Sequence, residues 1–203
     1  MSAISPNLVR CPWCPPADAL YEKYHDEEWG VPVRDGRMLF EMLNLEGAQA
    51  GLSWRTVLGK RPVYRTVFEG FDPHRLAVWT EDQIAAALLN PGIIRNRLKV
   101  RAVVRNARAL NEHFGGDLSA FAEFLWSFSG GAPVQNLRDT MADYPSTSDA
   151  SDQMSKALKK RDFTFVGSTI CYAFMQAVGM VNDHSATCFR RDPVRQMAAT
   201  WRL

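Results

Sequence analysis

Few segments of this chain alternate apolar and polar residues with a period of two, and its β-branched runs are short. That excludes a large sheet as the framework. There are four cysteines in 203 residues, too few for a disulfide scaffold at this length. In a reducing compartment, Cys and His brought together point instead to metal. Net charge is only +2, so bulk charge attracts no polyanion, and a nucleic-acid partner has to be met by a local basic face. Met1–Arg10 lacks the apolar stretch of a secretory signal, and the expected location is cytoplasmic. Internal repeats and low-complexity tracts are missing as well. The uncharged run from Thr164 to Asn182, next to Lys159, Lys160 and Arg161, has the flanks of a membrane span. It carries Gly167, Ser168, Thr169, Gln176 and Gly179, however, which makes it too polar for one. It reads as a buried helix, and no membrane partner is expected.

What is present suits an all-α protein. Hydrophobic residues make up 46% of the chain, enough for a sizeable core without covalent staples. About eight to ten short helices are predicted. Asp18 caps a helix to His25, and Asp35 caps a second from Arg37 to about Glu46, with Glu46 at its end before Gly47. Ala48–Leu52 reads as a break. Ser53 then caps Trp54–Lys60, and a separate helix covers Pro62–Phe68. Thr80 and Gln83 form a capping box before Ile84–Leu89, stopped by Asn90-Pro91-Gly92. Asn96–His113 is a long basic helix closed by Gly115-Gly116, and another helix begins at Ser119. Ser129–Ser148 reads as a long surface connection. Ser155–Arg161 is a short basic helix, Phe163–Gly167 a tight turn, and Ser168–Val181 the buried helix. The whole, 1–203, is expected to be a single domain of two helical lobes around a cleft, with loose termini at 1–10 and 191–203.

Three groupings carry chemistry. Cys11, Cys14, His25, His184 and Cys188 are candidate metal ligands. Cys11, Cys14, His184 and Cys188 would make a Cys3His site, or His25 could replace Cys14. The bland alternative is scattered buried thiols and ordinary histidines; Cys171, in an apolar run, is read as core. Trp13, Tyr21, Tyr24, Trp29 and Trp54 crowd the first quarter near Glu46. Such clustering usually means core. With one carboxylate it also suits a flat cationic ligand held by stacking and a charged hydrogen bond. Finally, Lys156, Lys159, Lys160 and Arg161 precede the Val166-Gly167 hairpin. The following helix start exposes N–H groups suited to a phosphate; a solvated helix face is the ordinary alternative.

Several long blocks resemble a known family. Tyr24-His25-Asp-Glu-Glu-Trp-Gly-Val-Pro32, Leu45-Glu46-Gly-Ala-Gln-Ala-Gly-Leu-Ser-Trp54, Gly92-Ile-Ile-Arg95, Ser155-Lys-Ala-Leu-Lys-Lys-Arg161, Phe165-Val-Gly-Ser-Thr-Ile-Cys-Tyr172 and Val181-Asn-Asp-His184 resemble bacterial 3-methyladenine DNA glycosylase I, from about Cys11 to Arg190. The resemblance implies the helix-hairpin-helix DNA glycosylase fold, with its hairpin at Phe163–Gly167. It implies one structural zinc held by Cys11, His25, His184 and Cys188, joining the N- and C-terminal segments, with no ligand role for Cys14. The family's base pocket maps onto Tyr24, Glu46 and Trp54, with Trp13, Tyr21 and Trp29 as further walls, and Glu46 is the residue expected to carry catalysis. Gly51 and Leu52 match the segment that fills the gap left by a flipped nucleotide. Lys160, Val166, Gly167 and Ser168 would meet the DNA backbone. Asn182, beside Asp183, stands where many relatives in the wider superfamily carry a catalytic Asp. Ser168 and Thr169 stand where a Schiff-base lysine would be needed. The implied activity is therefore monofunctional hydrolytic excision of 3-methyladenine from alkylated duplex DNA, by a monomer without an obligate protein partner. Two rivals are a zinc-stapled module that binds damaged DNA without excision and a thiol–zinc sensor built on Cys11 and Cys14.

Overall fold

The computed structural model describes residues 8–202. Among them the fold is mostly helical, with ten α-helices and one two-stranded parallel ribbon. No helix among the described residues is long and apolar enough to cross a membrane.

Short polar side chains set the helix starts by accepting from first-turn N–H groups. Asp18 caps α1 (Ala19–Glu27), Asp35 caps α2 (Gly36–Gln49), and Ser53 caps α3 (Trp54–Val67). Asp72, followed by Pro73, starts α4 (Pro73–Ala77), and Thr80 with Gln83 boxes α5 (Glu81–Leu89). Asn96 caps α6 (Arg97–Phe114), which ends on left-handed Gly115. Asp117 caps α7 (Leu118–Ser127), Ser148 caps α8 (Asp149–Lys159), and Gly167 precedes α9 (Ser168–Ala177). The last helix is α10 (Arg191–Ala199). Strand β1 (Val134–Gln135) pairs in parallel with β2 (Val181–Asn182), Val134 opposite Val181. The core centres on α2, buried almost continuously from Leu39 to Ala48 and packed by α3, α6, α7 and α9.

Several boundaries depart from the sequence reading. α2 does not end at Glu46. Gly47 is not a stop but a crossing point: a Cβ there would sit 3.0 Å from Phe165 Cβ and 3.1 Å from its carbonyl oxygen. α3 runs unbroken through Pro62; proline removes one backbone hydrogen bond, and buried Leu58, Arg61 and Tyr64 hold both halves on the core. α8 begins at Asp149 because Ser148 and Ser151 form a reciprocal capping box inside what had read as a serine-rich loop. α9 ends at Ala177 because Gly179 turns left-handed (φ +73°) against the Val31–Pro32 backbone, where a Cβ would meet atoms at 2.5 Å. The described part of the tail, residues 191–202, is not loose. Val194 is fully buried, and the Trp201 indole lies 4.3 Å from that of Trp126 and donates to the Gly131 carbonyl. At the other end, residues 1–7 lie outside the described residues, while Arg10 is fastened to Asp26 at 2.7 Å.

Candidate functional site: an aromatic cavity between a hairpin and a Cys/His cluster

The hairpin between α8 and α9 is fixed from behind. Asn106 of α6 donates to Asn44 Oδ1 of α2 (2.9 Å) and to the Thr164 carbonyl (3.2 Å), and accepts from Thr164 N–H (2.8 Å). Ser155 Oγ donates to the Val166 carbonyl at 2.6 Å, and buried Phe163 stacks on Phe121. Of the residues expected at a phosphate, Lys160 is exposed and Gly167 has open space where a side chain would be. The Val166 side chain is core, and the Ser168 hydroxyl is turned back to Asp152 and Ser151. Those two can offer only backbone. No side chain caps α9, so its first-turn N–H groups are the donors left for an anion. The basic helix α6 is largely used internally: Arg101 pairs with Glu81, Arg105 with Asp162, and Arg108 donates to the Ala77 and Trp79 carbonyls.

All six aromatic-box residues meet in one cavity of about 240 Å³. Tyr24 and Tyr21 come from α1, Glu46 from α2, Trp54 from the start of α3, and Trp13 and Trp29 from the flanking loops. The Tyr24 and Trp54 rings lie 5.4 Å apart at 51°, and Trp13 meets Trp29 edge-on at 4.8 Å. Among the described residues, the indole N–H groups of Trp13 and Trp54 are buried without partners. Glu46 is 4% exposed, and burial pushes its carboxyl up to about 8. The Tyr24 phenol is raised as well, first by burial and then by the Glu46 charge. Among the described residues, Glu46 is the one acidic residue lining the cavity. A second recess of about 200 Å³ shares Glu46, Gln49 and Ala173 and reaches Gly51 and Leu52. There Gly51 is left-handed (φ +75°) and Leu52 is 42% exposed. Lys99 Nζ donates to the Ala48 and Ala50 carbonyls at 2.8 and 2.6 Å, which holds that turn.

Sequence reasoning missed the far wall: Met141, Tyr144 and Pro145, with Gln49, Ala173 and Gln176. The 129–148 segment is therefore more than a surface connection. It adds strand β1 and is moored on Asp183, which accepts from Asn136, Arg138, Tyr172 and Gln176. An uncharged glutamine in the middle of an apolar run, Gln176, was the available signal. Asp183 is saturated by these bonds, and Asn182 donates to Gln135 Oε1 and the Arg191 carbonyl. Neither lines the cavity.

Behind Trp13 and Trp29, the ligand atoms of Cys11, His25, His184 and Cys188 lie within 4.8 Å of one another, all buried. Cys11 Sγ–His184 Nδ1, Cys188 Sγ–His184 Nδ1 and Cys188 Sγ–His25 Nε2 are each 3.4 Å. The outer ring nitrogens are oriented: His25 Nδ1 meets Asp26 Oδ1 at 2.7 Å and His184 Nε2 meets the Trp29 carbonyl at 3.0 Å. Backbone N–H groups of Ser185 and Arg190 donate to Cys11 Sγ and Cys188 Sγ. The two thiols are strongly paired, Cys11 held far down and Cys188 pushed far up, each first by its hydrogen bond to the other. Among the described residues, Ser185 Oγ, Arg190 Nε and Tyr144 Oη are buried with no partner. The Cys/His set can hold a metal ion. Cys14 stands outside it, its thiol raised to about 11 by burial, and Cys171 is core.

A mostly helical protein that sets a hairpin and an unshielded helix start beside an aromatic cavity with one buried carboxylate has the parts of a nucleic-acid base-handling enzyme. The family model for methyladenine glycosylase matches residues 13–191. DNA-3-methyladenine glycosylase 1 of Escherichia coli (strain K12) is 50% identical over 182 residues, covering 89% of this chain and 96% of that protein. A crystal structure of 3-methyladenine DNA glycosylase I superposes with a TM-score of 0.84 at 52% identity, over 89% of this chain and 98% of that one. A 3-methyladenine DNA glycosylase I from Staphylococcus aureus, solved to show how it recognises 3-methyladenine, gives 0.81 at 33% identity, over 86% and 93%. The chain belongs to the methyladenine glycosylase family, and it is an enzyme of the N-glycosyl hydrolase class.

Proposed function

We propose that this protein excises 3-methyladenine from alkylated duplex DNA by hydrolysis, on a helix-hairpin-helix glycosylase frame of two helical lobes around the cavity. The observation that carries the reading is Glu46, a single buried carboxylate in a box of Tyr24, Trp54, Trp13, Tyr21 and Trp29. Methylation at N3 makes the base cationic and already a good leaving group, so recognition is most of the task. A target base inside a duplex must first be turned out of the stack. Leu52, exposed on the held Gly51 turn, fills the gap. The start of α9 at Gly167, with Lys160 nearby in sequence, grips a backbone phosphate. In the cavity, Tyr24 and Trp54 stack on the cationic ring. Glu46 ionises against it and accepts hydrogen bonds from its edge, and water attacks the sugar carbon as the base leaves. With Asn182 and Asp183 committed elsewhere, no second carboxylate supports the sugar cation, which confines the enzyme to easily cleaved bases. With Ser168 and Thr169 at the hairpin helix start, no lysine forms a Schiff base, and no strand cleavage follows.

The Cys/His cluster fits zinc. Tetrahedral coordination with Zn–S of about 2.3 Å and Zn–N of about 2.05 Å puts S and N about 3.5 Å apart, beside the 3.4 Å separations found. Cys11, His25, His184 and Cys188 would hold it as four protein ligands with no open position, so it supplies structure rather than reaction chemistry.

The experiment is release of free base from methylated duplex DNA. Freed 3-methyladenine with an intact strand supports the reading; binding without release would favour the zinc-stapled DNA-binding module instead.

A further inference from the structure

The wall of the aromatic cavity contributed by α9 carries an amide whose orientation is fixed. Ala173 and Gln176, one helical turn apart, both line the cavity. The Gln176 backbone is fastened, its carbonyl accepting from Gly30 N–H at 3.1 Å. The side chain is fastened too, Nε2 donating to Asp183 Oδ2 at 2.8 Å. Asp183 is fully buried and takes three further donors: Tyr172 Oη at 2.7 Å, Asn136 Nδ2 at 2.7 Å and Arg138 Nε at 3.1 Å. A carboxylate accepts and does not donate, so it decides which end of the amide faces it. The NH2 turns to Asp183, and Oε1 turns away. Among the described residues Oε1 accepts no hydrogen bond, and it is not one of the buried atoms that lack a partner. It therefore borders open space, and the space that Gln176 lines is the cavity. Gln49 lines the same cavity but makes no side-chain hydrogen bond among the described residues, so its amide is free to turn either way.

We infer that Gln176 is a specificity-determining residue, its Oε1 accepting a hydrogen bond from the exocyclic amino group of the bound base. The inference deepens the proposed function and rests on it for the identity of the cavity's ligand. That amino group has two hydrogens to donate. Glu46 accepts along the base edge, and Gln176 supplies a second acceptor that Asp183 keeps from rotating. Two acceptors facing one edge select an amino group over a carbonyl oxygen, because an oxygen there would leave buried acceptors unpaired. At that ring position adenine carries the amino donor and guanine the carbonyl acceptor, so the fixed amide acts on the choice of base rather than on the sugar.

Titration calorimetry of the full-length protein with two free bases isolates the contact: 3-methyladenine, and 3-methylpurine, which lacks only the amino group. Gln176→Met keeps the length of the side chain and removes the amide. The wild type should prefer 3-methyladenine, and the variant should lose about tenfold in affinity for 3-methyladenine and little for 3-methylpurine. Equal losses for both bases would mean that Gln176 only holds Asp183 and the wall, and would overturn the proposal. So would an unchanged affinity of the variant for 3-methyladenine. A second reading needs no variant and so does not depend on its folding. With both amino hydrogens engaged, 3-methyladenine bearing one methyl group on the amino nitrogen should bind the wild type several-fold more weakly; binding as tight as that of 3-methyladenine would contradict the inference. If the wild type binds neither base, the 3-methyladenine reading itself fails and the inference falls with it, whereas tight binding of 3-methyladenine with equal losses in Gln176→Met sinks the inference alone.

Discussion

Glu46 illustrates how burial prepares one group for one ligand. Its carboxyl is pushed up to about 8 because water is excluded from around it, so at neutral pH it is mostly protonated until a cation enters. Two pH effects follow. Excision measured as kcat/KM reports the free enzyme and should rise with pH through about 8, whereas Glu46→Gln should give a flat profile reduced on the order of a hundredfold. Stability runs the other way. The folded pKa lies above the unfolded value of about 4.3, so the folded state binds the extra proton. That contribution is complete below about 4.3 and is lost as pH rises through about 8. Thermal melts should therefore show Glu46→Gln gaining on the wild type as pH goes from 5 to 8; equal gaps at both pH values would remove Glu46 from its buried, protonated role. Trp54 has a simpler task. Trp54→Ala removes a wall 5.4 Å from Tyr24 and should weaken free-base binding by about tenfold, read by titration calorimetry.

At the level of elements, the hairpin depends on buried polar residues more than on its own sequence. Asn106 is 2% exposed and bonds both Asn44 and the Thr164 backbone. Asn106→Ala strands those partners and should cost about 2–3 kcal/mol of folding stability, measured by denaturant melts; a loss under about 0.5 kcal/mol would mean the network does not hold the hairpin. This pairing joins residues 62 positions apart and leaves no periodic trace, so the sequence did not display it. Caps did show. Asp18, Asp35, Ser53 and Thr80 were all legible, because a capping side chain acts on N–H groups two or three residues away. Glycines misled where their purpose was tertiary. Gly47 sits inside α2 to admit Phe165, and local reading took it for a stop. Serine-rich sequence misled likewise at Ser148, where a helix start looked like loop.

The molecule as a whole closes its chain on itself. Cys11 and Cys188 bracket nearly all of the sequence, and their sulfurs meet between His25 and His184. Cys188→Ala should release the metal and lower the melting temperature on the order of 10 °C; a metal-replete variant of unchanged stability would contradict the cluster's role. Spacing alone left Cys14 and His25 as competitors, since nothing local distinguishes them. The fold brings His25, on α1 beside Asp26, together with Cys11, His184 and Cys188 and leaves Cys14 outside that cluster. The aromatic box was legible as composition. Its far wall was not, because Met141, Tyr144 and Pro145 reach the cavity only through tertiary mooring on Asp183. The most direct measurement of the central claim is chromatography of the bases freed from methylated duplex DNA by the wild type and Glu46→Gln side by side. The account predicts that the wild type frees 3-methyladenine, leaves 7-methylguanine in place and does not cut the strand, and that Glu46→Gln binds the DNA yet releases far less. Equal release by the two proteins would contradict it.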